Sequence, residues 1–424
     1  MEKSDKFRLT KYACYLGAGN MATTSVMSPL LFVTFHDEYG ISYTLLGLLV
    51  AVNFLTQLSV DLLFSFFPKY FNIHKTLRAI PVVVLIGFVV YAVMPWIMPS
   101  LVYLWLVLGT LIFSAAAGLG EVLFSPTIAA MPSDNPEREM SKLHSSYAWG
   151  CVFIVVICTA FLEIFGTKNW QFLALLLALL PLFDAILFAL SPLPDMDIGS
   201  SGDDSACGVR TKGFLLFIFC IFLGGASEVT MSEWVSSFIE NGIGLPKIVG
   251  DLAGVALFSV MLGIGRSGYA RFGKNVSLLM LIGMIGASVC YVVASLSPSA
   301  ALSLIACAVC GLCVSMLWPG TLIFAEQQFS TLGVASYALL AAGGDLGASV
   351  APQMVGIVSD AVALSPMAEA IGATLGITAE QVGMRAGILS ASLFPLIGIA
   401  VLLLMRRRAK EKISEAVVNE KQKV

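Results

Sequence analysis

Glu121 stands in a long apolar run, Leu101–Met131, five residues before Pro126. A carboxylate at the centre of a bilayer-spanning helix costs about 2.5–3.5 kcal/mol on insertion scales, so it faces a cavity or a partner. There it can take up and release a proton, accept from a ligand's hydroxyl, or bond a neighbouring helix. Glu228 and Glu233 share the run Gly213–Ile239, with Ser232 one turn after Glu228 and Trp234 six residues after it. Five residues at about 100° each put the two glutamates about 140° apart, so one face cannot hold both. Glu228 is the second candidate for substrate binding or ion coupling. Glu233 lies between a cavity role and the outer end of its span. Trp234 offers a stacking surface for a sugar ring or an interfacial belt contact.

Asp345 follows Gly343 and Gly344, whose lack of side chains permits close backbone approach. It suits a gating contact made in one conformation. Asp61 suits the same role, with water at the span end as the alternative. Asn20, Asn53 and Gln57 are amides with donors and acceptors for a hydroxyl-rich solute or for a neighbouring helix. Asn53 and Gln57 are four apart and share a helix face. His144 fits a hydrogen bond at the cytoplasmic end or a proton relay. Asp184, about seven residues from the end of its run, is expected to reach water.

These residues are scarce polar points in an apolar chain. Of 424 residues 58% are hydrophobic and 12% charged, against about 45–50% and 25% in ordinary soluble domains. A bilayer helix needs about 20 apolar residues. The apolar runs give twelve spans: Tyr12–Phe35, Ser42–Phe67, Ala79–Met98, Leu101–Met131, Ser145–Phe165, Trp170–Leu190, Gly213–Ile239, Ile248–Tyr269, Val276–Leu296, Ala300–Phe329, Gly333–Val358 and Arg385–Met405. The alternation of a membrane β-barrel is absent. With both termini cytoplasmic, 21 of the 24 Lys and Arg fall on the inner side, leaving Lys168, Lys247 and Arg385 outside. Such a bias sets orientation.

The net charge of −3 and the dispersed basic residues argue against a nucleic-acid partner. Cys307, Cys310 and Cys313 lack the polar support of a zinc site and read as small packing residues. No P-loop pattern occurs, which disfavours ATP drive. The histidines His36, His74 and His144 lie in separate loops, so no catalytic constellation is seen and no enzyme or cofactor is expected. The polar stretch 191–212 divides the chain into six-span halves, 1–190 and 213–405, followed by a basic tail, 406–424. Gly118-Leu119 precedes Pro126 as Gly311-Leu312 precedes Pro319, each proline eight residues after its glycine. Proline in a span frees a carbonyl, tolerated where protein or a cavity covers it. Interrupted helices at matched positions point to a midplane site.

The 6+6 pattern with an acidic mid-chain loop resembles the major facilitator superfamily. Gly120–Pro126, Leu143–Gly150 with Tyr147, Gly225-Ala226-Ser227-Glu228 with Trp234, and Gly343–Gly347 are similar to its fucose-permease-like and hexose-transporter branch. Gly263, Arg266, Arg271, Gly273 and Lys274 resemble a degenerate copy of the superfamily's basic loop. The resemblance implies an all-α membrane protein of two pseudo-symmetric six-helix bundles. With the polar residues read above, the expected substrate or ion contacts are Glu121, Glu228, Trp234 and Tyr147 from the similar stretches, and Asn20, Asn53 and Gln57 from their amide chemistry, with interhelical hydrogen bonding as the alternative for the amides. Gating at Asp61, Arg266, Arg271 and Asp345 follows as well. The expectation is a monomeric secondary transporter of a small polar solute, a sugar first, coupled to H+ or Na+, in the plasma (cytoplasmic) membrane. This branch often carries an acid in its first span, and none stands between Tyr12 and Phe35. Efflux and non-transporting nutrient sensing are the alternatives.

Overall fold

The structure, a computed structural model, describes residues 6–67, 70–133, 136–195, 213–272, 275–329 and 334–421. It is helical throughout, with no strand among the described residues. The first bundle holds α1 (Arg8–Leu30, continued by Phe32–Tyr39), α2 (Tyr43–Phe66), α3 (Ile73–Ile97), α4 (Val102–Ala129), α5 (Pro136–Phe165) and α6 (Trp170–Leu177 with Leu179–Leu190). In the second, α7 is Phe214–Ser237 and continues as a wide π turn, Phe238–Ile243. Next, α8 runs through Lys247–Val249, Gly250–Ala256 and Leu257–Phe272. It is followed by α9 (Val276–Leu296), α10 (Ala300–Val314 with Leu317–Gln328), α11 (Val334–Ala363) and α12 (Ala379–Ala391 with Leu393–Lys421).

Among the described residues eleven helical segments are long and apolar enough to cross a membrane. The exception is α1, diluted by Thr23, Thr24, Ser25 and Ser28, all buried. Its polarity is spent inside the protein. The lipid-facing sides of the other helices leave Ile86, Leu104, Phe183, Ile282 and Leu403 exposed, an apolar surface that suits hydrocarbon rather than water.

Side chains mark the helix starts. Ser42, Asn72, Asn275 and Ser299 each accept from the backbone N–H three residues on, and Thr378 with Gln381 forms a full capping box. Prolines act unevenly. The first helix breaks at Leu31, just past Pro29. The tenth breaks at Ser315–Met316, since Pro319 has no N–H for the Ser315 carbonyl. The fourth is continuous through Pro126. Helix α12 runs well past Met405 in the Lys/Glu-rich segment, where Arg407 and Glu411 pair at i,i+4.

The bundles meet mainly along α2 with α11 and α5 with α8. Glycines set the spacing. A Cβ on Gly347 would strike the Phe222 carbonyl of α7, and one on Gly118 would lie 3.0 Å from the Gln57 Cα of α2. The face at which α1 begins and α12 ends is called the basic end, and the other the opposite end.

Candidate functional site

Two polar centres lie between the bundles, and a polar seam closes them off at the opposite end. The first centre is a small cavity of about 10 Å³, room for about one water. Its polar lining is Thr24, Ser25 and Ser28 from α1, Asn53 from α2, Thr110 from α4 and Glu233 from α7. Thr24 and Ser28 are one turn apart, so a single face of α1 presents both. The Asn53 carbonyl oxygen accepts from Gln57 Nε2 at 3.2 Å and from Ser114 Oγ at 2.5 Å. That orients the Asn53 amide and uses Gln57 to hold it. Ser28 shares a hydrogen bond with Tyr91 at 2.9 Å, while the Thr110 hydroxyl has no partner. The lining is thus hydroxyls, an amide and one carboxylate, donors and acceptors suited to a hydroxylated solute.

On the other side of α7, Glu228 Oε1 accepts from Arg266 Nη2 of α8 at 2.6 Å. The Arg266 Nε donates at 3.1 Å to the Ser315 carbonyl, the group that Pro319 leaves without its helical partner. One guanidinium therefore satisfies a proline break and a carboxylate together. Tyr147 of α5 lies beside Ser25 and within electrostatic reach of Glu228 and Glu233.

The second centre is nearer the basic end. Asp61 of α2, Glu121 of α4 and Asp345 of α11 each offer a carboxylate oxygen within 4.8 Å of the others. The close approach of α4 to α2 at Gly118 brings Glu121 to Asp61. Gly344 sits against Gly225 of α7, so Asp345, the next residue, turns away from α7. Two like charges 4.8 Å apart repel by about 3.5 kcal/mol at an effective dielectric of about 20. No Lys, Arg or His forms an ion pair with any of the three among the described residues. The group therefore needs protons or a cation.

The seam at the opposite end joins the bundles. Asp360 of α11 accepts from the backbone N–H groups of Tyr43 at 3.2 Å and Thr44 at 2.6 Å, and from the Thr44 hydroxyl at 2.5 Å. The Tyr43 hydroxyl donates to Glu380 at 2.6 Å and accepts from Asn241 at 2.5 Å. Lys247 Nζ donates to the Leu30 carbonyl at 2.5 Å and pairs with Asp251, which also accepts from Thr159 of α5 and from Ser236. These contacts seal that end.

At the basic end, Glu139 accepts from Tyr15 at 2.7 Å and Lys142 at 2.8 Å, with Lys11 3.6 Å away. The Lys142 hydrogen bond, then those of Tyr15 and the Lys11 charge, hold its carboxyl down to about 2.

A family model of the Major Facilitator Superfamily matches residues 13–352. The chain belongs to the Major Facilitator Superfamily. No curated protein matches the sequence. A bacterial homologue of the human lysosomal transporter Spinster, inward-facing and occupied, is 13% identical, covers 96% of this chain and 98% of its own, and superposes with TM-score 0.73. A D-xylose–proton symporter is 14% identical over 92% and 97%, with TM-score 0.72. The Escherichia coli fucose:proton symporter is 14% identical over 95% and 98%, with TM-score 0.58. The resemblance to the sugar-transporting branch is thus matched in fold.

Within this superfamily frame the sequence candidates separate into groups. Asn53 lines the cavity, supported by Gln57 and neighboured by Tyr147. Glu121, Asp61 and Asp345 converge on the carboxylate cluster, and Glu228 pairs with Arg266. Asn20 stands apart, donating at 2.9 Å to Asp184 of α6. Asp184 does not reach water as expected: it is 0% exposed, because its face of α6 turns to α1. Trp234 is fully buried, packed at 5.2 Å against Phe32 and at 6.1 Å against Tyr43, with its N–H on the Pro352 carbonyl. It presents no face to the cavity in this conformation. The side chains of Pro126, His144 and Arg271, and residues 196–212, Gly273 and Lys274, lie outside the described residues. Sequence reasoning did not reach Thr24, Ser25, Ser28 or Thr110, although the Thr-Thr-Ser run in an apolar span was a readable signal. It also missed Asp360 and Glu380, which look like ordinary solvated acids at span ends.

Proposed function

We propose that this superfamily member is a secondary active transporter of a small, hydroxyl-rich organic solute, a sugar foremost, coupled to H+ or Na+. The observation that carries the reading is the cavity between the bundles, lined by three hydroxyl residues of α1, Asn53, Thr110 and Glu233. At about 10 Å³ it has room for about one water, far below the roughly 300–1,000 Å³ of typical ligand pockets. Solute entry therefore goes with separation of the bundles at one end, as alternating access requires. One chain supplies both bundles, in keeping with a monomer. The concentration of Lys and Arg at the basic end supports a cytoplasmic position for the termini in the plasma membrane.

The test is uptake into proteoliposomes over a panel of sugars, nucleosides and organic acids, with imposed pH or Na+ gradients. Glu233→Gln and Asn53→Ala are expected to raise the half-saturating solute concentration at least tenfold. Glu121→Gln is expected to abolish gradient-driven accumulation while exchange persists. Unchanged accumulation in Glu121→Gln removes it from coupling. Loading only from the basic end indicates efflux, and binding without flux indicates a sensor.

A further inference from the structure

Asp61 is the least explained charge in the protein. It is 1% exposed; among the described residues no donor from outside the cluster reaches either of its carboxyl oxygens, and its side-chain partner is Asp345. Asp345 is 2% exposed, with one oxygen in the same condition. Both aim into the space they share with Glu121. A buried acceptor without a donor is a group whose partner is missing. The charged groups acting on these carboxyls are one another, with no other titratable side chain of α2, α4, α7 or α11 facing them among the described residues. An all-oxygen donor set suits a hard cation. Ca2+ takes six to eight oxygens, and Mg2+ keeps several waters; two buried carboxylates and a partly buried one supply neither shell.

We propose that Asp61, Glu121 and Asp345 form a binding site for one small monovalent cation, Na+ or H+, assembled jointly by the two bundles. Asp61 and Glu121 come from the first bundle and Asp345 from the second, so the full donor set exists only while α11 lies against α2 and α4. A ligand that binds one conformation better shifts the population toward it, and the linkage is reciprocal. Occupancy therefore holds the bundles together near the basic end, and parting them releases the ion. The assignment rests on the transporter reading for its role in coupling, but the site itself can be measured without any solute.

The experiment is thermal unfolding of the purified full-length protein in lipid nanodiscs. One series titrates Na+ against choline at constant ionic strength and pH 8; another varies pH from 5 to 9 without Na+. The expected result is a saturable rise in Tm with one of the two cations. It should be lost in Asp61→Asn, and weakened at least tenfold in half-saturating concentration in Asp345→Asn. The Asn variants are neutral and of similar shape, and are expected to match or exceed the wild-type Tm in the absence of the cation. A Na+ response at pH 8 assigns Na+; a pH response alone, removed by both variants, assigns H+. The proposal is overturned if neither cation gives a response that the variants remove, or if Ca2+ or Mg2+ reproduces it at lower concentration. An undiminished response in Asp345→Asn overturns the two-bundle assembly. Loss of flux with an intact Tm response counts against the transport reading alone.

Discussion

Removing the Asp360 carboxylate should shift the protein toward opening at the opposite end. Ser42 caps α2 through the N–H of Leu45, its third helical residue. The N–H groups of the first two, Tyr43 and Thr44, are orphans of the helix start. Asp360 satisfies both from the other bundle and takes the Thr44 hydroxyl as well. These bonds exist only while that end is closed. Hydrogen bonds to a charged group are worth about 1.5–3 kcal/mol each when well buried, and loss of a helix cap about 0.5–2 kcal/mol. The site is part-buried, and water replaces the acceptor on opening, so about 2 kcal/mol for the whole contact is a fair figure. At 1.4 kcal/mol per decade, Asp360→Ala should raise the ratio of open to closed at this end about 30-fold. Asparagine caps nearly as well as aspartate and loses only the charge, so Asp360→Asn should give a change of about 3-fold. Spin labels at Leu48 and Leu364, both exposed, would report the two populations by pulsed dipolar distance measurement in nanodiscs. Equal ratios in wild type and Asp360→Ala would refute the latch, and an Asn variant as open as the Ala variant would refute the capping argument.

Arg266→Gln strips the counter-charge from Glu228 and the donor from the Ser315 carbonyl. Breaking such a half-buried pair should cost about 3 kcal/mol, read as a lower Tm that Glu228→Gln partly restores; no change in Tm would contradict the pairing. Gly356 of α11 has no room for a Cβ, which would strike the Tyr43 carbonyl and approach the Thr44 Cα at 3.3 Å. Gly356→Leu should therefore prevent closure of the opposite end, raising labelling of Ser28→Cys by an impermeant thiol reagent from that side at least tenfold. For Glu139, the folded carboxyl lies at about 2 against an ordinary value of 4.5. Its tie between α1 and α5 should be fully present above about pH 4.5 and lost as pH falls toward 2. Hydrogen exchange over residues 8–15 should rise across that window in wild type, and should be raised at all pH values in Glu139→Gln.

The all-helical membrane fold, with eleven of the twelve expected spans long and apolar enough to cross among the described residues, was legible because hydrocarbon thickness imposes a length scale that residue order alone reports. The weakest span, α1, is diluted by buried Thr and Ser, of which Thr24, Ser25 and Ser28 line the cavity. Individual membrane acids were legible too, since any carboxylate in an apolar run demands an explanation. What could not be read was convergence. Asp61, Glu121 and Asp345 are 60 or more positions apart in the chain, and their meeting depends on glycine contacts at 118 and 344 that set helix spacing. Trp234 shows the converse. Its position beside Glu233 invites a stacking role, yet one residue is a 100° turn on a helix, enough to put it in the aromatic packing of the seam. Asp360 escaped notice because an acid at a span end has water as its default partner, and only the tertiary fold shows a helix N-terminus there.

The seam and the carboxylate cluster engage the same two helices. On α2 they are 18 residues apart, from Tyr43 to Asp61, and on α11 15 residues apart, from Asp360 to Asp345. At 1.5 Å per residue those separations are about 27 and 22 Å. Asn53, and with it the cavity, lies near the middle of the α2 interval. Two rigid bundles rocking about that level must part at one end while they stay in contact at the other. In this conformation the helices lie together at both ends. Losing one contact should then favour opening at that end only: Asp360→Ala at the opposite end and, with the cluster's cation present at saturating concentration, Asp345→Asn at the basic end. The two substitutions act on one equilibrium with opposite sign, so Asp360→Ala with Asp345→Asn should give a Leu48–Leu364 distance distribution closer to wild type than Asp360→Ala alone. A double variant as open as Asp360→Ala alone would mean that the ends move independently, and the rocking description would fail.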